Sequence, residues 1–233
     1  MVDVLSHVIP KAIMWKFIGS QLESLERKDE GKADLTKKVV FNGKAWLINN
    51  VLTPEESQII VGGIEKLTLK TCDLGYRLCL RKEIKSVQLT KYIWDKISDF
   101  VPITITSRYP KAREGSPVFK WDLVGLNPDI RVVKYNKNMK FEVHYDYPRK
   151  QGKGVLSMMT FMIYLNKGFK GGQTLFFEND EKTVTKSISP EPGLLLMFLQ
   201  GEREGLKHSG TPVEEGTKYI LRTDVFYKKC SAM

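Results

Sequence analysis

The stretch Phe141-Glu142-Val143-His144-Tyr145-Asp146 decides how the rest of the chain is read. In a strand, residues i and i+2 share a face. An extended segment here points His144 and Asp146 the same way, with Val143 and Tyr145 opposite. An imidazole and a carboxylate on one face are two thirds of the 2-His-1-carboxylate set that binds non-haem Fe(II) and leaves coordination positions open. The chain holds three histidines: His7, His144 and His208. His7 sits at the very start, so His208 is the expected third ligand. A lone His-x-Asp is more often a satisfied polar pair on a sheet, so the weight falls on the surrounding sequence.

Outward from this stretch the pattern is β. Segments 118–124, 130–135, 140–146, 156–165, 173–177, 183–188, 194–199 and 218–227 alternate with turn residues such as Gly171-Gly172 and Glu191-Pro192-Gly193. Short strands at this spacing predict a sandwich or barrel, with a jelly roll as the eight-stranded solution. Upstream, Thr53-Pro54-Glu55-Glu56 combines a cap, a proline for the first helical position and a glutamate to return a bond to the cap. It predicts a helix to about Leu67. Gln88 to Phe100 reads as a second helix, apolar at Leu89, Tyr92, Ile93 and Ile97. Both are expected to buttress the sheet. Val39-Val40-Phe41 and Ala45 to Ile48 flank Asn42-Gly43, a hairpin signal. Residues 70–86 are basic and ambiguous. Residues 4–22 have helical apolar spacing, which Pro10 must start or kink, and 23–38 are charged and solvent-facing. The expected organisation is a helical extension over residues 1–40 and one domain over 41–233, mainly β with buttressing helices (α+β).

Composition is that of an ordinary globular chain, 42% hydrophobic and 27% charged over 233 residues. The net charge of +10 draws a protein toward acidic partners, nucleic acid included, although a merely soluble basic surface accounts for it as well. Cys72, Cys79 and Cys230 are odd in number and lack metal-ligand spacing, which predicts reduced thiols. No stretch approaches the roughly 20 apolar residues of a membrane span. The N-terminus lacks the order of a signal peptide, so cytoplasm or nucleus is the expected location.

Arg131-Val132-Val133-Lys134-Tyr135, followed by Phe141-x-x-His144-x-Asp146, resembles the Fe(II)/2-oxoglutarate-dependent oxygenases, in particular their prolyl 4-hydroxylase-like branch. The resemblance continues through Thr160 to Asn166, then Gly171-Gly172-Gln173-Thr174-Leu175-Phe176, then Pro192 to Phe198. It ends with His208-x-x-x-Pro212-Val213-x-x-Gly216-x-Lys218-Tyr219, and it covers roughly residues 45 to 228. It implies a double-stranded β-helix (a jelly-roll, cupin-like core) with iron at one mouth, held by His144, Asp146 and His208. It further implies 2-oxoglutarate and O2 as co-substrates, ascorbate as reductant and release of succinate and CO2.

Two cations compete for the far carboxylate of 2-oxoglutarate. Lys218 stands ten residues after His208, where the resemblance places the basic residue. Arg222 shares its strand face and is the better bidentate partner. Tyr135 is expected to donate to the same carboxylate, and Thr160 or Thr174 to line the pocket. The departures bear on substrate: Asn136 to Lys140 replaces a loop that often carries glycine, with Asn138 able to take a left-handed turn, and Tyr219 follows the basic residue in place of tryptophan. A prolyl residue of a protein or peptide is the expected substrate, with Arg108, Tyr109, Lys111, Arg113 and Trp121 as a rim for an extended chain. Nucleic-acid demethylation or hydroxylation, and a non-catalytic jelly-roll binding module, are the alternatives. The lack of a signal peptide favours an intracellular or virus-encoded relative.

Overall fold

The computed structural model describes residues 35–41, 43–109, 115–178, 180–202 and 205–232, together with Ile18 and Leu22. Of the helix expected over residues 4–22, only those two lie within the description, and both side chains are buried in the core. His7, Pro10, the run 23–34, Asn42, Lys111 and Arg113 lie outside it.

The chain begins with β1 (Lys37–Phe41), β2 (Ala45–Ile48), α1 (Pro54–Glu65), β3 (Lys70–Asp73), β4 (Leu78–Lys85), α2 (Val87–Ile97) and β5 (Thr104–Ser107). β6 (Phe119–Leu126), β7 (Asp129–Tyr135), β8 (Phe141–His144), β9 (Lys150–Gly152), β10 (Val155–Tyr164), β11 (Lys170–Gly171) and β12 (Thr174–Phe177) follow. The last five are β13 (Val184–Ile188), β14 (Leu195–Leu199), β15 (His208–Gly210), β16 (Val213–Glu215) and β17 (Lys218–Ala232).

Two sheets make the barrel. The larger runs β1-β2-β14-β10-β17-β7-β4-β3, and the smaller runs β13-β12-β15-β8. The antiparallel quartets β14-β10-β17-β7 and β13-β12-β15-β8 are the eight strands of a double-stranded β-helix. Seven of them fall where the sequence pattern puts them. The eighth does not: the 118–124 segment, expected in the barrel, forms β6, which pairs with the far half of β17 and with β5 outside the main strand path. Its place is taken by β15, only three residues long, too short to leave a periodic signal. The ambiguous stretch 70–86 is the β3–β4 hairpin, with Cys72 directly opposite Cys79.

The central strand β10 is apolar almost without interruption and nearly every residue is buried, as expected of a strand covered on both faces. From Met159 onward, past a register shift at Ser157, its faces separate by parity. Met159, Phe161 and Ile163 join the core shared with the helices, whereas Met162 and Tyr164 join a second apolar cluster inside the barrel. β14 sorts the same way, with Leu195 and Met197 outward and Leu196 and Phe198 inward.

The first helix begins where its cap predicts, and the second begins at Val87, one residue before the expected Gln88. Thr53 Oγ1 accepts from the Glu56 amide at 3.2 Å, and Glu56 Oε2 accepts from the Thr53 amide at 2.8 Å, closing a capping box. Ser86 caps α2 through the Leu89 amide, at 3.2 Å. Glu56 then serves a second purpose. Its buried Oε1 accepts from Lys96 Nζ at 2.8 Å and from the Tyr92 hydroxyl, which locks α1 to α2 behind the sheet. No helix among the described residues is long and apolar enough to cross a membrane.

Candidate active site

Register brings the histidines together. β15 pairs antiparallel with β8 so that His208 lies opposite His144. Asp146 follows β8 with its backbone carbonyl oxygen accepting from the Gly201 amide at 2.7 Å. One donor atom from each of His144, Asp146 and His208 falls within 4.8 Å of the others. His144 Nε2 lies 3.6 Å from Asp146 Oδ1, and His208 Nε2 3.6 Å from Asp146 Oδ2.

The tautomers are set by the backbone. His144 Nδ1 faces the Glu142 carbonyl oxygen at 2.8 Å and His208 Nδ1 faces that of Leu206 at 2.9 Å. Each Nδ1–H donates to its carbonyl, leaving Nε2 with a lone pair directed at the partner residues, the usual outer arrangement of metal-ligating histidines. His144 Nε2 is buried without a hydrogen-bond partner. Such an orphan costs free energy unless something else uses its lone pair, and a divalent cation would. Burial, chiefly, lowers His208 to a pKa of about 4, so its ring is neutral at pH 7. Burial acts against ionisation of Asp146, but Arg222 and the two histidines outweigh it and hold the carboxyl well below the usual range. Two neutral imidazoles and a carboxylate are the donor set for Fe(II). The residues fit the metal.

The rings are held by packing. Phe141 stacks on His144 with centroids 3.5 Å apart, and Phe198 meets His208 edge-on at 4.6 Å. Asp146 is held by hydrogen bonds. Arg222 pairs with its Oδ1 at 2.6 Å, and Thr160 Oγ1 donates to its Oδ2 at 2.6 Å. Behind Thr160, Gln200 Nε2 donates to Thr160 Oγ1 at 3.1 Å and to Asp224 Oδ1 at 2.8 Å. Arg131 closes the network on Asp224 Oδ2 at 2.5 Å.

The other end of the pocket is different. Lys218 is buried, its Nζ donates to the Gly172 carbonyl oxygen at 2.6 Å, and the ring centres of Tyr135 and Tyr164 lie 5.5 and 5.4 Å away. Burial lowers it to a pKa of about 7. Gly172 has φ +70°, and a Cβ there would stand 2.8 Å from Phe169 and 3.2 Å from Lys218 Cδ. The double glycine thus lets the backbone wrap the ammonium stem.

All eight residues singled out in the sequence line one pocket: His144, Asp146, His208, Lys218, Arg222, Tyr135, Thr160 and Thr174. Lys218, Ile220 and Arg222 do share the inward face. Their partners differ from expectation, however. Arg222 and Thr160 are engaged with Asp146, and Thr174 accepts from the Tyr164 hydroxyl at 2.7 Å. Asn138 takes the left-handed turn at φ +67°. Trp121 corrects the rim reading: it is 1% exposed and belongs to the core beneath β6, where the inward parity of that strand places it. Sequence reasoning missed Phe198, Gln200, Asp224 and Arg77. Arg77 lines the same pocket from just before β4, and the only trace it left was the basic character of 70–86.

Comparison with known proteins agrees with this geometry. A family model described as the 2OG-Fe(II) oxygenase superfamily matches residues 130–223, the span from β7 into β17. Prolyl 4-hydroxylase 2 of Arabidopsis thaliana is 24% identical over 115 residues, 39% of this chain and 38% of that protein. Prolyl 3-hydroxylase 2 of Homo sapiens is 45% identical over 40 residues, 17% of this chain and 6% of that protein. The matched region thus spans well under half of each of these relatives. A prolyl hydroxylase from Trichoplax adhaerens, solved with a hypoxia inducible factor peptide fragment, superposes with a TM-score of 0.56 at 18% identity, covering 93% of this chain and 90% of that one. A viral collagen prolyl hydroxylase from Paramecium Bursaria Chlorella virus-1 superposes with a TM-score of 0.52 at 18% identity, covering 82% of this chain and 99% of that one. At such identities these structures speak for the fold. Over residues 130–223 the chain thus resembles the 2OG-Fe(II) oxygenase superfamily, prolyl 4-hydroxylase-like in kind, and the His-Asp-His cluster lies within that span.

Proposed function

We propose that the protein is an Fe(II)- and 2-oxoglutarate-dependent dioxygenase that hydroxylates a C–H bond, with a prolyl residue of a protein or peptide as its substrate. The observation that carries the reading is the buried, partnerless Nε2 of His144 aimed at Asp146 beside His208. When bound there, Fe(II) supplies dioxygen activation coupled to decarboxylation of 2-oxoglutarate to succinate and CO2.

The chain's own residues do the rest. His144, Asp146 and His208 hold the metal. Arg222 and Thr160 orient the Asp146 carboxylate, so their role is in metal geometry. Lys218 makes no ion pair among the described residues, sits deep on the inward face of β17 and is left to receive the far carboxylate of 2-oxoglutarate, with Tyr135 beside it. Phe141, Phe198, Met162 and Ile220 wall the pocket with apolar surface and exclude water, which strengthens each charge inside it. The prolyl substrate rests on the relatives named above. Ascorbate is the expected reductant.

The test is succinate release by the purified protein with Fe(II), 2-oxoglutarate and ascorbate, with and without proline-rich peptides. Turnover stimulated by a peptide supports the whole reading. Turnover indifferent to every peptide keeps the chemistry and removes the prolyl substrate. The net charge of +10 then directs the search to nucleic acids, whose binding would weaken steeply with salt. Absence of both turnover and metal-dependent 2-oxoglutarate binding leaves a non-catalytic jelly roll.

A further inference from the structure

The pocket holds a third basic side chain that the proposed chemistry has not used. Arg77 is 7% exposed and lines the same cavity as His144, Tyr135 and Lys218. Its place is fixed by the backbone. Arg77 bridges to Phe141, the Leu78 amide donates to the Lys140 carbonyl oxygen at 2.9 Å, and the Glu142 amide to that of Tyr76 at 2.7 Å. The β3–β4 hairpin is therefore stitched onto the strand that carries His144.

What surrounds the guanidinium is the unusual part. Its carbon lies 4.5 Å from the Phe141 ring centre, the Cys79 thiol is its side-chain hydrogen-bond partner, and the Tyr135 hydroxyl and Cys72 thiol are its electrostatic neighbours. Among the described residues it makes no ion pair, and its Nε is buried without a hydrogen-bond partner. A buried cation is strongly disfavoured unless it is paired. Arg131 and Arg222 also have a buried Nε without a hydrogen-bond partner, but each of them has a carboxylate, Asp224 or Asp146. A planar fork of donors with no acid of its own, opening on a ligand pocket, is suited to a carboxylate brought in from outside.

We infer that Arg77 is a carboxylate-receiving residue of this site, acting beside Tyr135 and in addition to Lys218. The inference rests on the proposed function. One chemistry has two sources: the far carboxylate of 2-oxoglutarate, or an acidic side chain next to the residue being hydroxylated.

The test compares wild type with Arg77→Met, which keeps the apolar stem, and Arg77→Lys, which keeps the charge. Calorimetry on the full chain loaded with Mn(II) as an inert metal measures Kd for 2-oxoglutarate and for 2-oxopentanoate, which lacks the second carboxylate. The same samples then take a proline-containing peptide with a glutamate beside the proline, and its glutamine counterpart. Loss of a charge-assisted hydrogen bond predicts an effect of about 10–100-fold in Arg77→Met, partly restored in Arg77→Lys. If the wild-type preference for 2-oxoglutarate over 2-oxopentanoate shrinks by that factor, the co-substrate is the source. If that preference holds and the glutamate-over-glutamine preference shrinks, the substrate is the source. If Arg77→Met keeps its melting temperature and both preferences, the inference is overturned. A wild-type protein that binds no 2-oxoglutarate with metal overturns the proposed function itself, a result independent of any Arg77 variant.

Discussion

The two ends of the inward face of β17 carry cations four residues apart with opposite circumstances. Arg222 lies among acids and hydroxyls, paired to Asp146 at 2.6 Å within a network that runs through Thr160 and Gln200 to Asp224 and Arg131. Lys218 lies among tyrosine rings and one backbone carbonyl. Burial therefore lowers Lys218 to about 7, whereas Arg222 has a carboxylate oxygen of Asp146 at 2.6 Å. The difference teaches that charge type alone does not assign a role. By residue chemistry arginine is the better carboxylate anchor, yet in this molecule it is paired with Asp146, and the lysine has no carboxylate partner among the described residues.

The sharpest way to break this comparison is at Asp146, which belongs to one end only. Asp146→Ala is expected to abolish metal-dependent 2-oxoglutarate binding and to cut succinate release by more than the roughly 100-fold that loss of an outer partner costs. Retained turnover would sink the metal assignment. Next comes the split between the cations. Lys218→Met should weaken 2-oxoglutarate by about 10–100-fold and leave metal affinity alone. Arg222→Met should do the reverse, weakening the metal by about 10–100-fold while keeping the preference for 2-oxoglutarate over 2-oxopentanoate. Metal titration and calorimetry on both variants measure it, and identical profiles would erase the distinction.

A third consequence follows from proton linkage in the metal-free protein. Folded Lys218 titrates near 7 and unfolded lysine near 10.5. Between those values the unfolded state holds the extra proton, so stability from this group is least below pH 7 and rises until about 10.5. The slope is roughly 1.4 kcal/mol per pH unit, or about 3–5 °C in melting temperature for a chain of this size. Melting curves between pH 7 and 9 should rise relative to Lys218→Met. Parallel curves would show that Lys218 keeps its proton through a partner other than the rings and carbonyl facing it.

The smallest expected effects lie in the glycines that shape the Lys218 end. Gly171→Ala places a Cβ 2.1 Å from the Pro212 carbonyl oxygen at φ +73° and should cost at least about 2 kcal/mol. Gly172→Ala should cost about 1–2 kcal/mol and also raise Kd for 2-oxoglutarate, because its Cβ would press on Lys218 Cδ at 3.2 Å as well as on Phe169. Denaturant melts of both variants check the values. A Gly172→Ala protein with unchanged affinity would detach the double glycine from the lysine.

Much of this molecule was legible before any coordinates. The cap at Thr53, the pairing of β1 with β2, and seven of eight barrel strands follow from local periodicity and turn chemistry, which act over a few residues. The parity of Lys218 and Arg222 with the pocket is equally local, since a strand alternates faces by covalent geometry. The eighth strand was not legible: β15 is three residues long, and pairing with β8 and β12 creates it rather than any pattern of its own. Trp121 was misplaced for a related reason, because nothing in 118–124 says which layer the segment joins.

The sequence by itself determined the candidate cluster of His144, Asp146 and His208, seven of the eight barrel strands and the face on which both cations stand, because residue chemistry and side-chain alternation are properties of short stretches. Only the tertiary structure decided which cation meets Asp146, that His208 stands opposite His144, and that Arg77 enters the pocket without an acid beside it. Those facts depend on register between strands distant in the chain, and on what burial leaves unpaired once the sheets close.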